Sequence, residues 1–187
     1  MASPLSPTRT QFSDAITPRT LQVTRLIHAA IMTGPVIFLI IVVAFSLQQT
    51  ADVRPMASSF ELMNVLSMVQ GVLALASLFL AQFLSGALFS LDRLQQGAES
   101  ITSEMLAAKC VALQRAAGVA RLAILEGVAL FGLAVCFAGV MNHVMQAEPA
   151  YWFNAASTGL FLAYAAMVFP TKDSLVEWFE KTVGSSR

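Results

Sequence analysis

Apolar residues fall into four long stretches separated by polar segments: LIHAAIMTGPVIFLIIVVAFSL (26–47), LMNVLSMVQGVLALASLFLAQFLSGALF (62–89), LAILEGVALFGLAVCFAGVM (122–141) and WFNAASTGLFLAYAAMVF (152–169). Each is close to the roughly 20 residues that a helix rising about 1.5 Å per residue needs to climb about 30 Å of hydrocarbon. The pattern predicts an all-α protein, an integral membrane four-helix bundle spanning 25–170. Pro170 closes the fourth stretch, because its ring cannot continue an unbroken helix ladder.

Between the second and third stretches, residues 92–121 hold no proline and many good helix formers, so the third helix is expected to extend out of the membrane as one long rod. Leu106, Cys110, Leu113 and Ala117 recur on it at helical spacing. That face either packs on its own bundle or the membrane surface, or docks a partner. Residues 1–24, rich in Ser, Thr and Pro, are expected to be a disordered tail, with an organelle transit peptide as the competing reading. A secretory signal is not expected there, since the apolar run that follows is too long. Residues 171–187 carry Leu175, Val176, Trp178 and Phe179 among acids, an amphipathic tail anchored at the interface or bound to a partner.

Charge sets the orientation. Ten of the eleven Lys and Arg residues precede the first stretch, lie between the second and third, or follow the fourth; Arg54 alone falls in the opposite loops. Lys and Arg are retained on the cytoplasmic side, so both termini and the long middle segment are placed inside, in a bacterial inner membrane. Only 12% of residues are charged, the net charge is zero and the mean hydropathy is +0.70, so no basic field exists to attract nucleic acid. Cys110, Cys136, His28 and His143 match no zinc, haem or redox spacing, so no metal or cofactor is expected.

One acid, Glu126, sits inside an apolar run. It lies five residues past Arg121, about 7 to 8 Å into the bilayer. An ionised carboxylate near a bilayer centre costs about 2.5 to 3.5 kcal/mol on insertion scales, so this group must be protonated, paired or in a wet cavity. Counted inward from their nearest charged neighbours, Ser85 is about 10 Å deep and Tyr164 about 12 Å, within reach of the same layer, and His28 and Arg25 approach from the cytoplasmic end. HAAIMTGPVIF (28–38) also aligns with RLAILEGVALF (121–131), and LFLA at 78–81 with 160–163, an internal repeat of two parallel hairpins in which Thr33 holds in the first span the place that Glu126 holds in the third. The candidate set is Glu126, Thr33, Tyr164, His28, Ser85 and Arg121, acting either as a hydrogen-bonding staple between helices or as an ion or proton site. Small residues at Ser77, Ala81 and Ser85, at Ala155, Gly159 and Ala163, and at Ala123 and Gly127 are expected to line the close-packed seams, with Glu126 about a quarter turn away.

Two resemblances bear on this reading. ILEGVALFGLAVCF is similar to the carboxylate-bearing helix of the rotary ATPase proteolipid subunit, which implies that Glu126 titrates. The motifs H-A-A-x-M-x-G (28–34), R-x-A-x-x-E-G-x-A-L-F (121–131) and F-P-T-K (169–172) resemble those of small bacterial four-span membrane proteins; that likeness implies the layout and brings no activity. The expected function is a structural or accessory component in the lipid bilayer, joined to other copies or other membrane subunits and not an enzyme. The alternative is a proton- or ion-handling subunit.

Overall fold

The computed structural model describes residues 7–49, 54–88 and 102–184, with the backbone alone for 84–88 and 182–184. Among these the chain is helical, with no strand. The elements are α1 (Arg9–Ala15), α2 (Pro18–Gln48), α3 (Ala57–Leu88), α4 (Ser103–Met141), α5 (Val144–Ala147), a 3₁₀ helix over Pro149–Ala155, α6 (Ala156–Met167) and α7 (Lys172–Gly184). Among the described residues three helices are long and apolar enough to cross a membrane: Pro18–Gln48, Ala57–Phe83 and Ser103–Met141. A fourth crossing is counted when Pro149–Met167 is taken with the following helix, from which it is bent by 93°. These features mark a multi-pass membrane protein.

The fourth apolar stretch is not a simple α-helix. A 3₁₀ helix rises about 2.0 Å per residue, so seven such residues followed by the twelve of α6 climb about 32 Å with a short segment. Side chains hold the tight winding: Asn154 Nδ2 donates to the Tyr151 carbonyl at 2.8 Å and Ser157 Oγ to the Asn154 carbonyl at 3.0 Å, each three residues back. Upstream, His143 takes the left-handed conformation, φ 58°, where the chain leaves α4 for α5. Pro35 is fully buried in α2, which continues through it.

The chain divides into two compact units, one of Met1–His28, Gln82–Arg121 and Val168–Arg187, the other of Ala29–Ala81 and Leu122–Met167. In the first, both ends of the chain depart from expectation. Residues 9–15 and 18–24, expected to be disordered, are helical, while 1–6 lie outside the described residues. Thr8 caps α1 through a reciprocal box with Gln11, satisfying free amide groups at the helix start. Phe12 and Ile16, one turn apart, are buried in a cluster with Leu106, Cys110 and Val111 of α4 and Val176 and Phe179 of α7. Phe12 stacks on Phe179 with centroids 4.2 Å apart. So the α4 face carrying Leu106 and Cys110 packs on its own chain, one of the two readings open to it, while the apolar face of α7, expected at the interface or on a partner, is covered by α1 and α4. Residues 92–101 of the middle segment lie outside the described residues.

In the second unit, paired positions give the helix directions. Gly34 meets Glu126, Phe38 and Phe45 meet Phe137, and Gln49 donates to the Val140 carbonyl, so α2 and α4 run the same way. Met63 meets Gly139 and Gln70 meets Val128, so α3 runs against α4.

Candidate functional site

Glycine marks where helices touch most closely, and the positions differ from the expected seam. A Cβ on Gly127 or Gly159 would meet nothing within 4 Å, so neither lies at a tight crossing. A Cβ on Gly132 would overlap the Asn154 carbonyl oxygen and come within 2.6 Å of Ser157 Oγ, and one on Gly139 would lie 2.9 Å from Met63 and Met145. The close approaches on α4 therefore fall at Gly132 and Gly139. On α3, Ser77 and Ala81 of the expected seam are buried.

Around Gly132 lies a polar ladder. Tyr151 Oη donates to Asn64 Oδ1 at 2.7 Å, Asn154 Nδ2 to Ser67 Oγ at 2.9 Å, and Gln70 Nε2 to Ser157 Oγ at 2.9 Å. Every rung joins residues 87 apart, so α3 and the 151–157 segment run parallel in constant register. The geometry follows from winding: side chains three apart stack in a 3₁₀ helix and share a face of an α-helix. Two further bonds bring in α4: Gln70 Nε2 donates to the Val128 carbonyl at 3.2 Å and Thr158 Oγ1 to the Ala129 carbonyl at 3.1 Å. Thr158 is fully buried and Gln70 nearly so. Ser67 and Gln70 stand out in the sequence as polar residues in an apolar run, whereas Asn64, Tyr151, Asn154 and Ser157 escape that reading. The signal that would have found them is the matched spacing, N-x-x-S-x-x-Q against Y-x-x-N-x-x-S.

The sequence-derived candidates are placed less compactly. Glu126 is half-buried, its Oε1 beside Gly34, where a Cβ would lie 3.2 Å from it. Glu126 makes no hydrogen bond or ion pair among the described residues. Thr33 is exposed and donates to the Ala29 carbonyl of its own helix at 2.7 Å, so Gly34, its neighbour, is the residue of α2 that meets the acid. Tyr164 borders the cluster of Leu122, Ala129, Phe161 and Ala165, together with Ile31, Met32 and Leu125. His28 and Arg121 belong to the other compact unit. His28 is buried edge-on to Phe169, ring centroids 5.7 Å apart, and its Nε2 has no partner among the described residues. The Ser85 side chain lies outside the described residues.

Cys110 and Cys136 are free and buried, each packed in a different apolar cluster. Among the described residues no three of His, Cys, Asp and Glu gather closely enough to hold a metal ion. Comparison with known proteins finds no matching family model, no matching curated protein and no matching solved structure, so the chemistry of this chain rests on its own residues.

Proposed function

We propose that the chain is a four-span inner-membrane protein with both termini in the cytoplasm, built of two parallel hairpins and serving as a structural or accessory component rather than an enzyme. The observation that carries this reading is where the polar side chains are used. Asn64, Ser67, Gln70, Tyr151, Asn154, Ser157 and Thr158 bond helix to helix instead of converging on one point where a substrate atom could react. Large apolar side chains meanwhile cover the outward faces of α2 and α3, among them Leu26, Ile40, Leu47, Met68, Leu75 and Phe79, as lipid or a neighbouring subunit requires.

An even number of crossings is supported by the two ends of the chain. Phe12 stacks on Phe179, Arg9 pairs with Glu180 at 3.1 Å, and Arg25 Nε donates to the Pro170 carbonyl at 3.0 Å. Three crossings by α2, α3 and α4 alone would leave α7 across the membrane from α1, so the segment 149–167 serves as the fourth. Cross-linking in native membranes followed by affinity purification of the full chain tests the accessory role. Stoichiometric membrane partners or a defined homo-oligomer are expected, and a monomer with no partner defeats it.

One observation favours a second reading, a proton- or ion-handling subunit. The Glu126 carboxyl lies beside Gly34 with no hydrogen bond or ion pair among the described residues, so protonation is the direct way to relieve its charge in lipid. Labelling by an apolar carbodiimide should modify Glu126 and fade as pH rises, with Glu126→Gln unreactive yet fully assembled. Absence of labelling at any pH removes this reading and leaves the first untouched.

A further inference from the structure

The carboxyl of Glu126 is left without a companion by its own chain. It leans on Gly34 where α2 meets α4, with Oε1 3.2 Å from where a Cβ on that glycine would lie, and it makes no hydrogen bond or ion pair among the described residues. It is not sealed inside. The residue is half-buried, neither carboxyl oxygen is enclosed, and Gly34 beside it is exposed. Ala30, one turn before Gly34, and Ala123, one turn before Glu126, are exposed as well, so the outer surface around the acid is low and reachable.

Protonation removes the charge of such a group but leaves it an O–H that must donate and a carbonyl oxygen that must accept. In hydrocarbon no water is at hand, and each unsatisfied capacity is costly. Acyl chains answer neither. The answering group must therefore donate and accept at once, at the depth of Glu126, and come from outside the chain. A second copy supplies it by symmetry. In the topology proposed above every copy takes the same orientation, because the same bias of Lys and Arg directs it, so a twofold axis along the membrane normal brings like residues to like depth. A protonated carboxyl is complementary to itself: each O–H donates to the carbonyl oxygen of the other, and both capacities are used. The small residues Ala30, Gly34 and Ala123 let the two backbones come close enough.

We propose that the outer face of α2 and α4 around Glu126 is the interface of a homodimer, in which the Glu126 carboxyl of each copy is hydrogen-bonded to that of the other. The inference rests on the accessory reading and names the partner as a second copy of this chain.

The test measures energy transfer between donor- and acceptor-labelled full chains in liposomes as added lipid dilutes them. Glu126→Leu should weaken association by roughly fivefold or more, whereas Glu126→Gln, whose carboxamide also donates and accepts, should keep it within about twofold. Ala123→Leu, which raises the exposed face and leaves the acid in place, should also weaken it by roughly fivefold or more, each variant with helicity unchanged. Gly127→Cys, exposed with open space around it, should be joined to its counterpart by a short bis-maleimide, and Phe79→Cys on the exposed face of α3 should not; the native cysteines are buried and do not compete. A dimer indifferent to Glu126→Leu, one lost as deeply with Glu126→Gln, joined through Phe79→Cys instead, or replaced by association with a different protein would overturn this interface and leave the accessory reading standing. Chains that stay single in membranes and copurify with nothing would overturn both.

Discussion

A single glycine shows how unevenly the residues of α4 carry the packing. At Gly132 a methyl group would drive into the Asn154 backbone carbonyl, which cannot swing aside as a side-chain tip would, and into Gln70 and Ser157 of the ladder. Gly132→Ala should therefore lower stability by about 1–3 kcal/mol, the usual cost of overpacking, and loosen the 3₁₀ segment. Gly127→Ala, with open space around it, should shift stability by under about 1 kcal/mol. Denaturant titration of the purified variants in detergent checks both, and equal effects would refute the assignment of the close crossing. Small residues dotting the third stretch are plain in the sequence. Which of them faces a neighbour is not, because that depends on the rotation of the helix about its own axis.

At the scale of elements, α1 and α7 hold each other. Phe12→Ala removes the ring stacked on Phe179, a loss that in buried sites typically costs about 3–5 kcal/mol. Amide exchange across Arg9–Ala15 should then accelerate by roughly tenfold or more, with α3 and α6 unchanged. Protection that survives the substitution would mean that something else holds α1. A second expectation concerns acid. The Lys181 ammonium, 2.7 Å from Glu177 one turn earlier, bonds to that carboxylate and holds its pKa below the ordinary value. A group depressed on folding contributes stability above its unfolded pKa and loses it as pH falls through the folded one. The helicity of α7 should thus decline slightly on acidification through and below the usual glutamate range, a small step because the pair is exposed. Glu177→Gln should abolish that step in an NMR titration of α7, and a step that persists would assign it to another group. The amphipathic pattern of residues 171–187 is visible in the sequence. That Phe12, from the other end of the chain, covers its apolar face is a long-range contact, and no local pattern encodes it.

For the whole molecule, the count of crossings decides the topology. With four, reporter fusions at the N- and C-termini should both give the cytoplasmic signature, as the ten-to-one bias of Lys and Arg demands. Reporters on opposite sides would leave only α2, α3 and α4 as crossings and would place the 149–167 segment elsewhere. By itself the sequence determined that the protein is helical and built for lipid, because the length and apolarity of a crossing are local, additive properties of a single stretch. It also singled out Glu126, since a lone acid in such a run is conspicuous without any neighbour. Only the tertiary structure decided that Gly34 meets that acid, that Gly132 and Gly139 are the tight crossings, and that Gln70 and Asn154 anchor a ladder. Those facts belong to pairs of helices, and a pair is set by rotation and register, which the packing of side chains fixes only when the helices meet.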